Sequence, residues 1–149
     1  MQSLFCSLKH LTDTKVLQHI GANLNKHSDD FKHHKVFRAF ILRGLLGAFA
    51  ALPDFTFIWK YENANSDIAK SLPNVYLVQW MPQMQLLRDD RLSLFLTHGG
   101  LASANELAYM GKPAVVVPLF GDQMHNAQML ARLKGAVILD KSDLSDPQK

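Results

Sequence analysis

Apolar positions along this chain keep two periods, and the change from one to the other marks out its elements. Between residues 28 and 52, Phe37, Phe40, Ile41, Leu45, Phe49 and Leu52 recur at helical spacing, so they share one face of an α-helix. Ser28-Asp29-Asp30 can cap its start and Pro53-Asp54 closes it. The runs FTFIWK at 55–60 and VYLV at 75–78 are short and rich in aromatic and β-branched residues, which predicts strands. A short helix at 85–88 precedes an apolar strand at 92–96, and a helix over 101–110 stops at Gly111-Lys112-Pro113. Residues 114–118 are nearly all apolar, which suits a parallel strand covered on both faces. A helix at 126–134, stopped at Gly135, and a strand at 136–139 complete the pattern. Strands alternating with helices predict an α/β fold with a doubly wound parallel, Rossmann-like sheet. Residues 1–27 break the pattern. They read as an irregular polar segment, with a plausible short strand only at 15–20 and a weak turn at Gly21-Ala22-Asn23.

Composition narrows the function classes. The 149 residues suit one domain with a real core, and 48% hydrophobic with 19% charged residues are globular values. The net charge of +3 is slight, and Lys32, His33, His34 and Lys35 form the only basic cluster. A nucleic-acid footprint needs a larger concentrated patch, so nucleic acid is not the expected partner. The single Cys6 excludes an internal disulfide and a cysteine zinc site. The longest apolar stretch, 36–52, contains Arg38 and Arg43 and is too short and too charged to span a bilayer. Lys9 and His10 interrupt residues 1–11, which therefore do not read as a signal peptide.

The candidate chemistry lies in residues 79–123. The strand at 92–96 ends in Thr97-His98-Gly99-Gly100 and runs straight into a helix. A helix start presents unpaired backbone N–H groups and the positive end of the dipole, so it attracts a phosphate without a metal. Gly99 and Gly100 let the backbone come close, His98 can donate one N–H to a diphosphate oxygen, and Ser103 adds a hydroxyl. Glu106, on the second turn, has two acceptor oxygens for the vicinal hydroxyls of a ribose. Trp80 and Gln83 precede the strand, and Asp122-Gln123 follow the next one with an acceptor pair and an amide suited to sugar hydroxyls. Each residue type also serves structure: a tryptophan packs, a glutamate solvates a helix face, and Asp122 can cap a helix beginning near Met124. The joint spacing is what singles out a site.

That spacing resembles the donor-binding signature of the UDP-glycosyltransferases, the family that includes UDP-glucuronosyltransferases and plant secondary-product glucosyltransferases. The resemblance covers about residues 36–145. It implies that Trp80 stacks on uracil, Gln83 contacts the nucleoside, His98 holds the diphosphate, Glu106 the ribose, and Asp122-Gln123 the transferred sugar. An asparagine common four residues after the histidine is Ala102 here, which removes one polar contact near the diphosphate or sugar. The implied fold is the carboxyl-terminal, donor-binding half of a GT-B glycosyltransferase. The family's first strand lies in mid-sheet and ends in a Phe-Gly-Ser loop, and neither can be found before the first helix, so this strand is expected to be lacking. Each buried backbone group left unpaired costs roughly 1–3 kcal/mol, and several would rival the roughly 5–15 kcal/mol that holds a domain together. Residues 1–35 are thus an atypical segment and 36–149 a truncated donor domain.

The implied activity is transfer of a hexosyl or glucuronosyl group from a UDP-sugar, UDP-glucuronate or UDP-glucose, to a small lipophilic acceptor. No cofactor or metal is implied beyond that co-substrate. The catalytic base, a histidine oriented by an aspartate, is expected in a missing amino-terminal domain, so no catalytic residue is assigned here. An acceptor-domain partner is implied in turn. The family typically resides at the endoplasmic reticulum membrane, although neither a signal nor an anchor is expected from the residues of this sequence. Two alternatives accompany this expectation: the donor subunit of a split glycosyltransferase, and a non-catalytic UDP-binding fragment.

Overall fold

A computed structural model describes residues 3–8 and 32–145, with side chains from 42 to 144. The helix predicted at 28–52 is α1, Lys32–Ala51; its proposed cap at 28–30, like the strand proposed at 15–20 and the turn at 21–23, falls outside the described residues. Asn74 finishes α1 from outside, its Nδ2 lying 3.0–3.1 Å from the carbonyl oxygens of Phe49, Leu52 and Phe55. Helix ends leave carbonyls without partners, and one amide here serves several.

The strands are β1 (Ser3–Leu8), β2 (Phe55–Lys60), β3 (Val75–Val78), β4 (Leu92–Thr97), β5 (Ala114–Val116) and β6 (Ala136–Ile138). Between them lie the helices α2 (Gln83–Leu87), α3 (Leu101–Met110) and α4 (Gln123–Arg132). They form one sheet in the order β3-β2-β1-β4-β5-β6. The pairs β2–β3, β4–β5 and β5–β6 are parallel. Alternation sends successive side chains to opposite faces. Phe57 and Trp59 enter one core with Phe49, while Ile58 between them enters the other with Leu87, Phe95, Leu107, Val116 and Leu130. Phe49 stacks on Phe57 at 4.3 Å between centroids and meets Trp59 edge-on at 5.7 Å. Both faces are covered, as a doubly wound sheet requires.

The expectation of an unfilled central slot is corrected. β1 occupies it, paired with both β2 and β4, Phe5 standing opposite Ile58 on one side and Phe95 on the other. It runs antiparallel to both. The slot supplies two facing rows of backbone groups, and a six-residue strand satisfies them in either direction. The direction has a further effect: β1 brings its Ser3 end beside Thr97. At the edge where the family resemblance placed a loop leaving the strand, this chain has the strand's beginning.

The helix stop expected at Gly135 is also displaced by one residue. Lys134 takes the left-handed conformation (φ 57°), and the Gly135 N–H returns to Leu130 O at 3.1 Å.

Candidate functional site

The chain fills the sheet outward to β3, crosses over, and fills it outward again from β4 to β6. In such sheets the crevice for a ligand opens at that reversal, beyond the carboxyl ends of the strands. The predicted residues lie on the segments that leave those ends.

Thr97 and His98, at the end of β4, are 2% and 7% exposed. Thr97 Oγ1 accepts from the Gly99 N–H at 3.3 Å, which shapes the turn. Gly99 has φ +80°, and a Cβ on it would lie 2.7 Å from Val116 Cγ1 and 3.3 Å from Gln123 O. Only glycine fits both the dihedral and the space. Gly100 is the N-cap of α3 in extended conformation and makes no side-chain cap, so capping of the first N–H groups of α3 does not come from the N-cap residue.

Two hydrogen-bonded groups gather the predicted residues. In the first, Gln83 reaches from the start of α2 to α3, where its Nε2 donates to Ser103 Oγ (3.2 Å) and Glu106 Oε2 (2.5 Å). Met81 beside it is buried at 5% while Trp80 is 73% exposed, so the segment is anchored by its methionine and presents its indole to solvent. In the second, Asn126 Nδ2 donates to Gly99 O and to Asp122 Oδ2, each at 3.0 Å. Asp122 is the N-cap of α4 by position, yet its side chain makes no cap hydrogen bond; its carboxylate belongs to Asn126. Gln123 is 1% exposed, and its Oε1 accepts from the Leu119 and Phe120 N–H groups at 2.8 and 3.2 Å. It holds the loop between β5 and α4, leaving its Nε2 for other work.

Sequence reasoning missed Asn126. The available signal was a polar residue one turn after Asp122, beside Ala127 on the inward face of a helix.

Comparison with known proteins decides the family. Residues 42–148 match the family model described as "UDP-glucoronosyl and UDP-glucosyl transferase". The chain belongs to this family. Among the relatives of this UDP-glycosyltransferase sequence, the putative UDP-glucuronosyltransferase ugt-60 of Caenorhabditis elegans is 39% identical over 105 residues, 70% of this chain and 20% of that protein. UDP-glucuronosyltransferase 3A1 of Bos taurus is 46% identical over 88 residues, 58% of this chain and 16% of the relative. The chain therefore spans about a fifth of the length of the curated relatives it matches, in their carboxyl-terminal portion. Among solved structures, the glycotransferase of kitacinnamycin aligns with a TM-score of 0.57 at 25% identity, covering 83% of this chain and 35% of that one. LpCGTa, solved in complex with UDP, aligns at 0.54 with 14% identity, over 80% of this chain and 30% of its own, and supports the fold alone. The Rossmann-like α/β fold read from the sequence is thus the fold of a GT-B glycosyltransferase half. No helix among the described residues is long and apolar enough to cross a membrane.

Proposed function

We propose that this chain is the donor-binding portion of a UDP-glycosyltransferase, holding a UDP-sugar along the carboxyl edge of its sheet. The indole of Trp80 takes the uracil face. Glu106, steadied by Gln83, accepts the ribose hydroxyls. The diphosphate sits over the His98-Gly99-Gly100 turn and the start of α3, with Ser103 as a further hydroxyl, and Asp122 with Gln123 takes the hexosyl or glucuronosyl group. UDP-glucose and UDP-glucuronate both suit this set.

The observation that carries the reading is the meeting of Gln83, Ser103 and Glu106 from two separate helices beside the glycine turn. A merely structural role for these residues does not require a carboxylate and two neutral hydrogen-bonding groups to converge there.

The chemistry that follows is inverting transfer. A small lipophilic acceptor's hydroxyl oxygen attacks the anomeric carbon, the bond from that carbon to the UDP oxygen breaks, and the acceptor proton passes to a base on an acceptor domain. Donors fixed around the diphosphate stabilise the charge that the departing UDP gains. Calorimetric titration with UDP and, separately, ADP tests the reading, with His98→Ala beside it. Selective UDP binding that the variant loses is the expected result, and equal or absent binding of both nucleotides overturns it.

A further inference from the structure

Asn126 stands on the second turn of α4 and is 5% exposed, next to the fully buried Ala127. A primary amide in such a place is costly unless its hydrogens find acceptors. The Nδ2 group has two hydrogens, and it lies 3.0 Å from each of two oxygens, Gly99 O and Asp122 Oδ2. The two acceptors differ in kind. Gly99 O belongs to a turn fixed by a positive φ and by the wall of Val116. Asp122 is an exposed side chain at a helix start that makes no cap bond of its own, so Asn126 supplies its orientation.

We propose that Asn126 is a positioning residue for recognition of the transferred sugar: it ties the Asp122 carboxylate to the turn beneath the diphosphate, fixing the sugar's acceptor group relative to the phosphates. The inference rests on the donor-binding reading above. With Oδ2 held, Oδ1 of Asp122 remains to accept from a hexose hydroxyl. Alanine at 126 releases the carboxylate into its other rotamers. Aspartate does more harm, because it replaces a donor by an acceptor facing Gly99 O and sets two carboxylates four residues apart on one helix face. Acidification puts a shared proton on that pair, and the resulting O–H restores a donor between them.

The test is a calorimetric cycle on the purified chain, with UDP and UDP-glucose as ligands for wild type, Asn126→Ala, Asp122→Ala and the double variant. Each single change is expected to weaken UDP-glucose binding about tenfold, the loss of one hydrogen bond, and UDP binding less than about threefold. The double variant should bind no worse than Asp122→Ala alone, the mark of two residues acting as one unit. Asn126→Asp should be weaker than Asn126→Ala at neutral pH and recover as pH falls through the carboxylate range, a profile that a packing role would not give. Should Asn126→Ala fail to fold, Asn126→Ser, which keeps one hydroxyl donor, takes its place in the cycle. Losses that multiply in the double variant, or that fall equally on UDP and UDP-glucose, overturn the inference while leaving the donor-binding reading intact. A folded wild-type chain that binds neither ligand overturns that reading, and the inference with it.

Discussion

Gln83 and Glu106 lie on different helices and meet through a single hydrogen bond, the side-chain amide of α2 donating to the carboxylate of α3. The same nitrogen also reaches Ser103. A carboxylate on a helix surface samples several rotamers, whereas one held by a charge-assisted hydrogen bond keeps its free oxygen in one place. Gln83 thus fixes the Glu106 carboxylate, as the ribose contact proposed for it requires.

Glu106→Ala should weaken UDP binding about 10- to 100-fold, the worth of hydrogen bonds to a charged group at roughly 1.5–3 kcal/mol. Thermal stability should change little. Titration with UDP and with its 2′-deoxy analogue measures the effect. Wild type should prefer the ribonucleotide, and the variant should lose that preference. A wild-type chain that is indifferent to the 2′-hydroxyl would remove Glu106 from the site.

The two tryptophans should respond in opposite ways. Trp80 is 73% exposed and Trp59 is 0% exposed, so Trp80→Ala gives up little burial, but on the proposed donor pose it should lose base stacking worth about 1–3 kcal/mol. Trp59→Ala empties the core around Phe49 and should cost about 3–5 kcal/mol of stability. Denaturant melts beside UDP titrations separate the cases. If Trp80→Ala unfolded the chain, the indole would be a packing group.

Gly99→Ala should be disruptive out of proportion to one methyl group. The new Cβ meets Val116 Cγ1 at 2.7 Å, and the backbone there has φ +80°, a conformation that costs a non-glycine residue about 1–3 kcal/mol. Pairing it with Val116→Ala relieves the clash and leaves the strain. Thermal melts should therefore show the double variant less stable than Val116→Ala alone.

Asp89 supplies a pH dependence of known sign. Arg91 holds its carboxylate by Nε (2.9 Å), a terminal nitrogen (2.7 Å) and the backbone N–H (2.9 Å). The Arg91 side-chain hydrogen bonds are the main cause lowering its pKa from 3.8 to about 2. A depressed folded pKa gives stability that is present above 3.8 and lost as pH falls toward about 2. Arg91 is 48% exposed, so solvent screening holds the contribution to at most about 1 kcal/mol. Asp89→Asn should flatten the stability profile through that window; parallel profiles for variant and wild type would show that the pair contributes nothing.

Phe5→Pro tests the central strand. Proline donates no hydrogen bond and is excluded from mid-sheet positions, and Phe5 is paired on both sides. The change should cost about 1–3 kcal/mol for the disrupted ladder and speed amide exchange in β2 and β4. Unchanged exchange there would mean that β1 does not hold the sheet.

The sequence was most legible where one period dominates. β2, β3 and α3 begin and end where the pattern placed them, because an unbroken apolar alternation or a glycine stop leaves one choice. β5 ends two residues early, at Val116, short of Pro118, which has no N–H for a ladder. β1 escaped because SLFCSL carries two serines and because its pairing depends on partners far along the chain. In the candidate site, motif spacing singled out residues that the structure brings into two hydrogen-bonded groups, yet it was silent on how they are held. Asn126 lies outside the motif, and its one trace, a polar residue a turn after Asp122 beside Ala127, does not reveal its burial. The internal duty of Gln123 Oε1 toward residues 119 and 120 is hidden for the same reason.

The antiparallel central strand also sets an order of events. Phe5 precedes both of its partners along the chain, and Ile58 and Phe95 arrive in turn, the second only when β4 has been made. Contacts so distant along a chain are slow to form, and unpaired strand edges are exposed meanwhile. β5 and β6 add outward from β4, whereas β1 can join β2 as soon as both exist, and its second edge then stays open until β4 is made.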